Sequence, residues 1–237
     1  MWWFAALHAN LLAFCRRVVL PSGAPSCLLD AGCGTGGLLS RIARRYPDSL
    51  VVGLDPDGHA CARAHAKSAR PVCGGSVNAL PFADGTFAAV FSADVLCHRD
   101  VDERQALAQI HRVLRAGGVL VLNLPAYPWL LSRHDVAVYN VRRYTRRSAA
   151  ALLREAGFRL VYASYWNMLL FPMMVIARKW APRRTGAASD VRLYPPAVEA
   201  VCRWATGFER VLLRLGVRLP FGGSLLAVAA KEERAYA

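Results

Sequence analysis

The stretch LLDAGCGTGG, residues 28–37, constrains the fold more than any other part of this sequence. An apolar run ends at Asp30, and Gly32, Gly34 and Gly36 follow in the pattern D-x-G-x-G-x-G. Glycine accepts positive φ angles and carries no Cβ, so such a loop can turn tightly and let a ligand approach its backbone. Residues with helical spacing follow the loop. The stretch therefore predicts a buried strand, a ligand-binding turn and a helix.

Strand-like and helix-like segments alternate along the rest of the chain, which predicts an α/β fold with a mainly parallel sheet. Seven apolar segments have strand character, and the regular alternation breaks only between the sixth and the seventh. We predict one domain over residues 1–237, a doubly wound seven-stranded sheet of Rossmann-like type. An N-terminal helix at 1–22 is expected to act as a lid, and a helical insertion is expected at 166–220.

The residues of the first turn distinguish between classes of nucleotide site. A P-loop requires Gly-Lys-Ser/Thr, which this sequence lacks, and the glycine spacing differs from G-x-G-x-x-G. Asp30 at the mouth of the turn favours a cationic ligand over a pyrophosphate. A second acid, Asp55, ends the next strand in GLDPDG, where a carboxylate can accept hydrogen bonds from the ribose hydroxyls of a nucleoside. S-adenosylmethionine matches both acids, because it is a nucleoside with ribose hydroxyls and it carries a sulfonium and an ammonium.

Four segments within residues 25–160 resemble the class I S-adenosylmethionine-dependent methyltransferases: LLDAGCGTGG, GLDPD, ALPFADGTFAAVFSADVLCH and VLRAGGVLVLNLP. The resemblance implies S-adenosylmethionine as cofactor and S-adenosylhomocysteine as product. It also implies cofactor-binding positions: Asp30, Gly32, Gly34 and Gly36 at the methionine part, Asp55 and Pro56 at the ribose, and Ser76 and Val77 at the adenine. Ser76 departs from the family, which often has Asp at this position.

Methyl transfer is an in-line displacement, so its catalytic residues are expected beyond the fourth and fifth strands, next to the methyl group. His98 is a candidate base or substrate-orienting group, His134 and Asp135 form an adjacent pair, and Tyr144 is a candidate for the acceptor pocket. The alternatives are a loop histidine, a helix cap at Asp135 and a core tyrosine. We expect no metal ion, because we identify no Asp-Asp or Asp-Asn pair after strands four and five that would bind one.

The net charge of +14, from 30 basic and 16 acidic residues, has two explanations. It reflects either an arginine-rich composition or an attraction to phosphates or an anionic membrane. NLPAY at 123–127 resembles the N-P-P-Y signature of amino-directed DNA and protein methyltransferases. That signature follows strand four, whereas NLPAY follows strand five, so we expect no nucleic-acid partner.

The segment YWNMLLFPMMVIARKWAPRR joins apolar and aromatic residues to a basic cluster. We interpret it as a cover over the acceptor site, with a dimer surface or a helix in a membrane interface as alternatives. The chain is therefore predicted to be a biosynthetic methyltransferase of a small-molecule or lipid-like acceptor, a monomer or homodimer. We expect a cytoplasmic location with peripheral membrane contact as an option. Non-methyl chemistry with the same cofactor, or cofactor binding without turnover, are the alternative functions.

Overall fold

The computed structural model describes residues 1–18, 25–180 and 194–232, with the side chains of 15–18, 134 and 177–180 left undescribed. Its elements confirm the predicted α/β fold. In chain order they are α1 (Trp2–Val18), β1 (Cys27–Ala31), α2 (Gly37–Arg45), β2 (Leu50–Asp55), α3 (Gly58–Ser68), β3 (Val72–Gly74), β4 (Phe87–Ala93), α4 (Glu103–Val113), β5 (Leu114–Pro125), a 3-10 turn (Pro128–Leu130), α5 (Arg133–Ala137), α6 (Arg146–Glu155), β6 (Phe158–Trp166), α7 (Phe171–Trp180), α8 (Pro196–Arg214) and β7 (Ser224–Lys231).

The seven strands form one sheet in the order β3-β2-β1-β4-β5-β7-β6. β7 runs antiparallel to β5 and β6, and the pairs from β3 to β5 are parallel. The chain order reverses between β1 and β4, where Asp30 pairs with Phe91. Since parallel strands end on the same side, the carboxyl ends of β1, β2, β4 and β5 share one edge of the sheet, the position expected for a ligand.

Alternating side chains along each strand build a core on both faces of the sheet. Leu29 and Val90 face one core with residues of α4 and α6. Leu28 and Phe91 face the other with residues of α1, α2 and α8. This double cover explains why the strands are almost continuously apolar in sequence.

Two helices, α7 and α8, lie between β6 and β7 and confirm the predicted helical insertion. The buried carboxylate of Glu209 in α8 accepts from the backbone N–H of Asn167 at 2.6 Å and of Leu169 at 2.8 Å. These bonds attach α8 to the end of β6, while the helix packs along α1. Of the basic cluster expected at the insertion, Arg183 and Arg184 lie outside the described residues.

The N-terminal helix packs its apolar side against the sheet. Trp3 stacks on Trp166, the last residue of β6, with ring centroids 4.8 Å apart and planes at 20°. The lid role of this helix stays a prediction. No helix among the described residues is long and apolar enough to cross a bilayer.

Candidate active site

The three glycines of the first turn have the backbone conformation that the sequence pattern predicts. Gly32, Gly34 and Gly36 all have positive φ, at 81°, 50° and 77°. A Cβ on Gly32 would lie 2.3 Å from Val95, and one on Gly36 would lie 2.7 Å from the backbone of Ala64. A Cβ on Gly34 would meet nothing within 4 Å. Two of the glycines are therefore required by packing, and Gly34 borders open space that a ligand can enter.

Asp30 lies beneath this turn, only 1% exposed. The backbone N–H of Leu39, in the first turn of α2, hydrogen bonds to its carboxylate, but its Oδ2 has no partner among the described residues. Burial raises the pKa of Asp30 to about 7, and the nearby Asp55 carboxylate adds to this effect. A buried carboxylate with an unpaired oxygen fits a cationic group, such as the ammonium of the expected cofactor.

Backbone hydrogen bonds bring the loops after β1, β2 and β3 together. The carbonyl of Leu54 accepts from Gly32 N–H at 2.8 Å and from Cys33 N–H at 2.9 Å. Asp55 Oδ2 accepts from Gly34 N–H at 2.8 Å. The Asp55 carbonyl accepts from Gly75 N–H at 3.1 Å. The predicted methionine and ribose positions are thus neighbours at one edge of the sheet.

The predicted adenine positions follow β3 directly. Ser76 is exposed, and its hydroxyl accepts from the N–H of Asn78 at 3.2 Å. Val77 turns its side chain into the core. Pro56, next to Asp55, is exposed at the same edge. The adenine role of Ser76 and Val77 stays a prediction. Because the Val77 side chain lies in the core, the groups available to contact adenine are the Ser76 side chain and the loop backbone.

A polar network at the ends of β4 and β5 was missed in the sequence; Asn123 and Trp166 in it are buried, and Asp94 is partly buried. Asp94 has a positive φ of 55°. Its Oδ1 accepts from Asn123 Nδ2 at 2.9 Å, and Trp166 Nε1 donates to Asn123 Oδ1 at 2.7 Å. Burial raises the pKa of Asp94 to about 6, although the bond from Asn123 and the charge of Arg143 oppose the rise.

This network corrects one premise of the sequence analysis. Asp94 and Asn123 do form an Asp-Asn pair at the ends of strands four and five, contrary to the reason given there for expecting no metal. The Asn123 side-chain oxygen is occupied by the indole N–H of Trp166, so the pair is arranged to fix the Asp94 carboxylate. The recognisable signal was an acid immediately after β4 and an amide near the end of β5.

His98 lies in the turn after β4 and is exposed. Partial desolvation of the ring by its protein neighbours lowers its pKa, and the charges of Asp55 and Asp100 oppose this shift. The imidazole is therefore within electrostatic reach of the predicted ribose acid. The guanidinium of Arg142 donates to the backbone carbonyls of His98 and Val101, which fixes this turn.

Asp135 has contacts that account for its burial. Its carboxylate accepts from the N–H and the hydroxyl of Ser132, both at 2.8 Å. Arg143 Nη2 lies 2.6 Å from its Oδ1, and both side chains of this ion pair are buried. Arg143 also donates to the carbonyl of Ala126. These contacts favour a structural role for Asp135, so its catalytic role stays a prediction; the side chain of His134 lies outside the described residues.

Tyr144 is also held by internal contacts. Its hydroxyl lies 2.7 Å from Glu103 Oε2 and 3.0 Å from the carbonyl of Leu96. Burial and the Glu103 carboxylate raise the pKa of this phenol, which therefore stays neutral. The tyrosine joins the segment after β5 to α4, and a contact with the acceptor stays a prediction.

Five aromatic rings, here called the aromatic cluster, lie beside this site: Tyr127, Trp129, Tyr165, Phe171 and Phe221. Tyr127 stacks on Tyr165 at 5.0 Å and has Trp129 and Phe171 at 5.6 Å. Tyr127 follows β5, Phe171 follows β6 and Phe221 precedes the antiparallel β7, so the cluster occupies the same edge of the sheet. Trp129 is 53% exposed and Phe221 41%, which leaves ring surface for an apolar ligand.

Sequence comparison finds a relative whose match covers nearly the whole chain. Residues 29–122 match a family model described as a methyltransferase domain. The chain is 34% identical over 231 residues to the malonyl-[acyl-carrier protein] O-methyltransferase of Herminiimonas arsenicoxydans. That match covers 92% of this chain and 85% of the relative.

Solved structures of similar fold include a putative methyltransferase in complex with the Haloferax volcanii Trm112 methyltransferase activator, with a TM-score of 0.63 and 19% identity over 97% of this chain and 91% of that one. Another is the geranyl diphosphate C-methyltransferase of Streptomyces coelicolor A3(2), in complex with Mg2+, geranyl diphosphate and S-adenosylhomocysteine. Its TM-score is 0.62 with 15% identity, over 94% of this chain and 77% of that one. At these identities the two structures show the shared fold.

Proposed function

This chain belongs to the class I S-adenosylmethionine-dependent methyltransferases, and we propose that its acceptor is a small molecule or lipid with an apolar body. The enzyme uses S-adenosylmethionine as cofactor. The observation that carries the proposal is the aromatic cluster, which lies at the same edge of the sheet as Gly34 and Asp55. An apolar acceptor would lie against these rings and release water from their surface.

The cofactor, when bound, supplies a methyl group activated on a sulfonium sulfur. Asp30 supports binding because its unpaired oxygen can accept from the ammonium group. Asp55 is assigned to the ribose hydroxyls, and Gly34 leaves the space that a Cβ would fill. These assignments are supported by the unpaired oxygen of Asp30, the open space at Gly34 and the position of Asp55 at the end of β2.

We assign proton acceptance from the acceptor to Asp94. With a pKa of about 6 this carboxylate is ionised at neutral pH and is more basic than an ordinary aspartate. Asn123 holds one of its oxygens and thereby fixes the orientation of the group. A positioned base of this kind contributes roughly 10²- to 10⁴-fold to the rate. His98 is the alternative base, since its lowered pKa keeps the imidazole neutral at pH 7.

The acceptor class is tested by incubating the chain with methyl-labelled cofactor and three acceptors: a phenolic polyketide, geranyl diphosphate and malonyl-[acyl-carrier protein]. We expect label in an apolar small-molecule product. Trp129→Ala should raise the KM for that acceptor ~10-fold, because a ring that would pack against it is lost. S-adenosylhomocysteine affinity should not change.

Trp204→Ala is the matched control, since Trp204 is an exposed tryptophan on α8 outside the aromatic cluster. Equal effects of the two substitutions, or label found only on nucleic acid or protein side chains, would contradict the proposed acceptor class.

A second candidate function is methyl esterification of an acyl group held by a carrier protein. It is favoured by the full-length similarity to the malonyl-[acyl-carrier protein] O-methyltransferase. Label transferred to malonyl-[acyl-carrier protein], with Trp129→Ala without effect, would select this candidate over the first.

A further inference from the structure

One face of α8 carries large apolar side chains that lie in solvent. They are spaced by three or four residues: Val198, Val201, Trp204, Phe208, Val211 and Leu215, here called the α8 stripe. Trp204 and Leu215 are each 71% exposed, and the rings of Trp204 and Phe208 stack at 6.1 Å. Large exposed apolar side chains aligned along one helix face are typical of an interaction site.

The opposite face of α8 is the one that packs against the protein. Cys202, Ala205, Glu209 and Leu213 are all buried. The most apolar side of α8 points away from the core, and the acceptor-cover role of the insertion stays a prediction.

The exposed charges on α8 are all positive. Arg203 and Arg214 are exposed and Arg210 is half-buried, whereas Glu199 and Glu209 are both buried. Burial and the neighbouring Arg214 lower the pKa of Arg210, as expected for two cations placed side by side. Arg203 Nη2 lies 3.9 Å from Glu199 Oε2, whereas within the described parts of the chain no acid pairs with Arg210 or Arg214.

We propose that α8 binds an anionic membrane surface, with the stripe in the lipid interface and its arginines on lipid phosphates. Tryptophan and arginine are the side chains suited to that boundary, where apolar tails meet charged headgroups. A second copy of the chain fits less well, because pairing two α8 helices would bring like charges together without an exposed acid on either helix. The net charge of +14 favours the same negatively charged partner.

The proposal goes beyond the methyltransferase function and does not depend on the acceptor. It is tested by co-sedimentation of the full chain with vesicles of phosphatidylcholine alone or with roughly a third phosphatidylserine. We expect binding to the anionic vesicles that weakens at high salt. The double substitution Trp204→Ser/Phe208→Ser should reduce partitioning at least ~10-fold, because two inserted rings are lost.

The triple substitution Arg203→Gln/Arg210→Gln/Arg214→Gln should reduce anionic binding by ~5-fold per charge at low salt. Its matched control is Arg115→Gln/Arg147→Gln/Arg154→Gln, which removes three exposed arginines located elsewhere. If the control lowers binding equally, the effect is one of net charge, and the proposed role of α8 is wrong.

Two further measurements keep the outcomes distinct. Calorimetry with S-adenosylhomocysteine should give wild-type affinity for both α8 variants, which would show that they are folded. A loss of vesicle binding with the cofactor site intact can then be assigned to α8 and not to the acceptor site. Sedimentation velocity without lipid tests the competing partner. A dimer that Trp204→Ser converts to monomer would overturn the proposal in favour of self-association, and so would absence of anionic vesicle binding by the wild-type chain.

Discussion

Replacing Asp30 with asparagine should separate the stability of the fold from the binding of the cofactor. Burial raises the pKa of this carboxyl from 3.8 to about 7 in the folded chain. Because the folded pKa lies above the unfolded one, the favourable contribution of the protonated group is fully present below about pH 4 and is lost as the pH rises through about 7. Between these pH values Asp30 is ionised in the unfolded chain but still protonated in the folded chain, so the free energy of unfolding falls as the pH rises.

The size of the effect follows from the shift. About three pKa units at 1.36 kcal/mol each give a loss of up to about 4 kcal/mol by pH 8. Asparagine is neutral throughout, and its amide oxygen keeps an acceptor for the Leu39 N–H. Asp30→Asn should therefore be more stable than wild type by up to about 4 kcal/mol near pH 8, with no gain near pH 4. The same change should weaken S-adenosylhomocysteine binding ~10- to 100-fold, since the ammonium loses a charged acceptor.

Urea unfolding of the ligand-free chain between about pH 4.5 and pH 8 measures the first effect, and calorimetry measures the second. Asp48→Asn is the control, because Asp48 is an exposed aspartate that loses the same formal charge. A variant that is no more stable than wild type near pH 8, or that binds the product with full affinity, would refute the reasoning.

Four other substitutions test separate parts of the site. Asp55→Ala should lose about 2–3 kcal/mol of S-adenosylhomocysteine affinity by calorimetry, and unchanged affinity in a folded variant would remove the ribose assignment. Gly34→Ala, at φ 50°, should cost about 1 kcal/mol in urea unfolding and lower cofactor affinity ~10-fold, because its Cβ enters the ligand space; equal affinity would show that the space is not used. Asp94→Asn should cut turnover ~10²- to 10⁴-fold and abolish the rise in wild-type activity as the pH increases through about 6, with cofactor affinity kept; a persisting rise would point to another base. Asp135→Ala should cost about 3–5 kcal/mol in urea unfolding, because it leaves Arg143 buried without its partner, and a small loss would argue against the structural role.

Most of the fold could be predicted because it depends on local patterns. The strand, turn and helix around Gly32 follow from apolar alternation and glycine spacing. The start of β5 could not be predicted in the same way. In the segment RQALAQIHRVLRAGG, the basic residues and the two glycines predict a helix that ends at the glycines. In the structure α4 ends at Val113 and β5 begins at Leu114. Gly117 has a φ of 69°, and the register of β5 with β4 shifts between Phe87 and Ala89. The pairing of Leu114 with Phe87 at the start of β5 therefore depends on a tertiary contact.

The predictability of the site differs between its two halves. The cofactor half is built from backbone conformation and strand ends, which glycine and a terminal acid reveal directly. The catalytic half depends on which side chains meet across strands. Asn123 is fully buried within β5, so in sequence it looks like a strand residue, and only the pairing of Ala93 with Asn123 brings it to Asp94. In α8 the exposed apolar residues recur at spacings of three or four, but this spacing alone does not show that they face solvent.

Asp30 and Asp94 together explain why this edge of the sheet is suited to a cationic cofactor. Asp30 lies near the end of β1, and Asp94 directly follows the neighbouring strand β4. Burial raises the pKa of both carboxyls, and Asp55 adds a third carboxylate beside Asp30. In the ligand-free chain the burial of Asp30 and Asp94, together with the repulsion between Asp30 and Asp55, destabilises the folded state at neutral pH. A ligand with an ammonium and a sulfonium relieves that repulsion, so part of its affinity comes from charges that were already buried. Because Asp30 must be ionised for this, bound ligand lowers its pKa, and cofactor binding should strengthen as the pH rises through about 7.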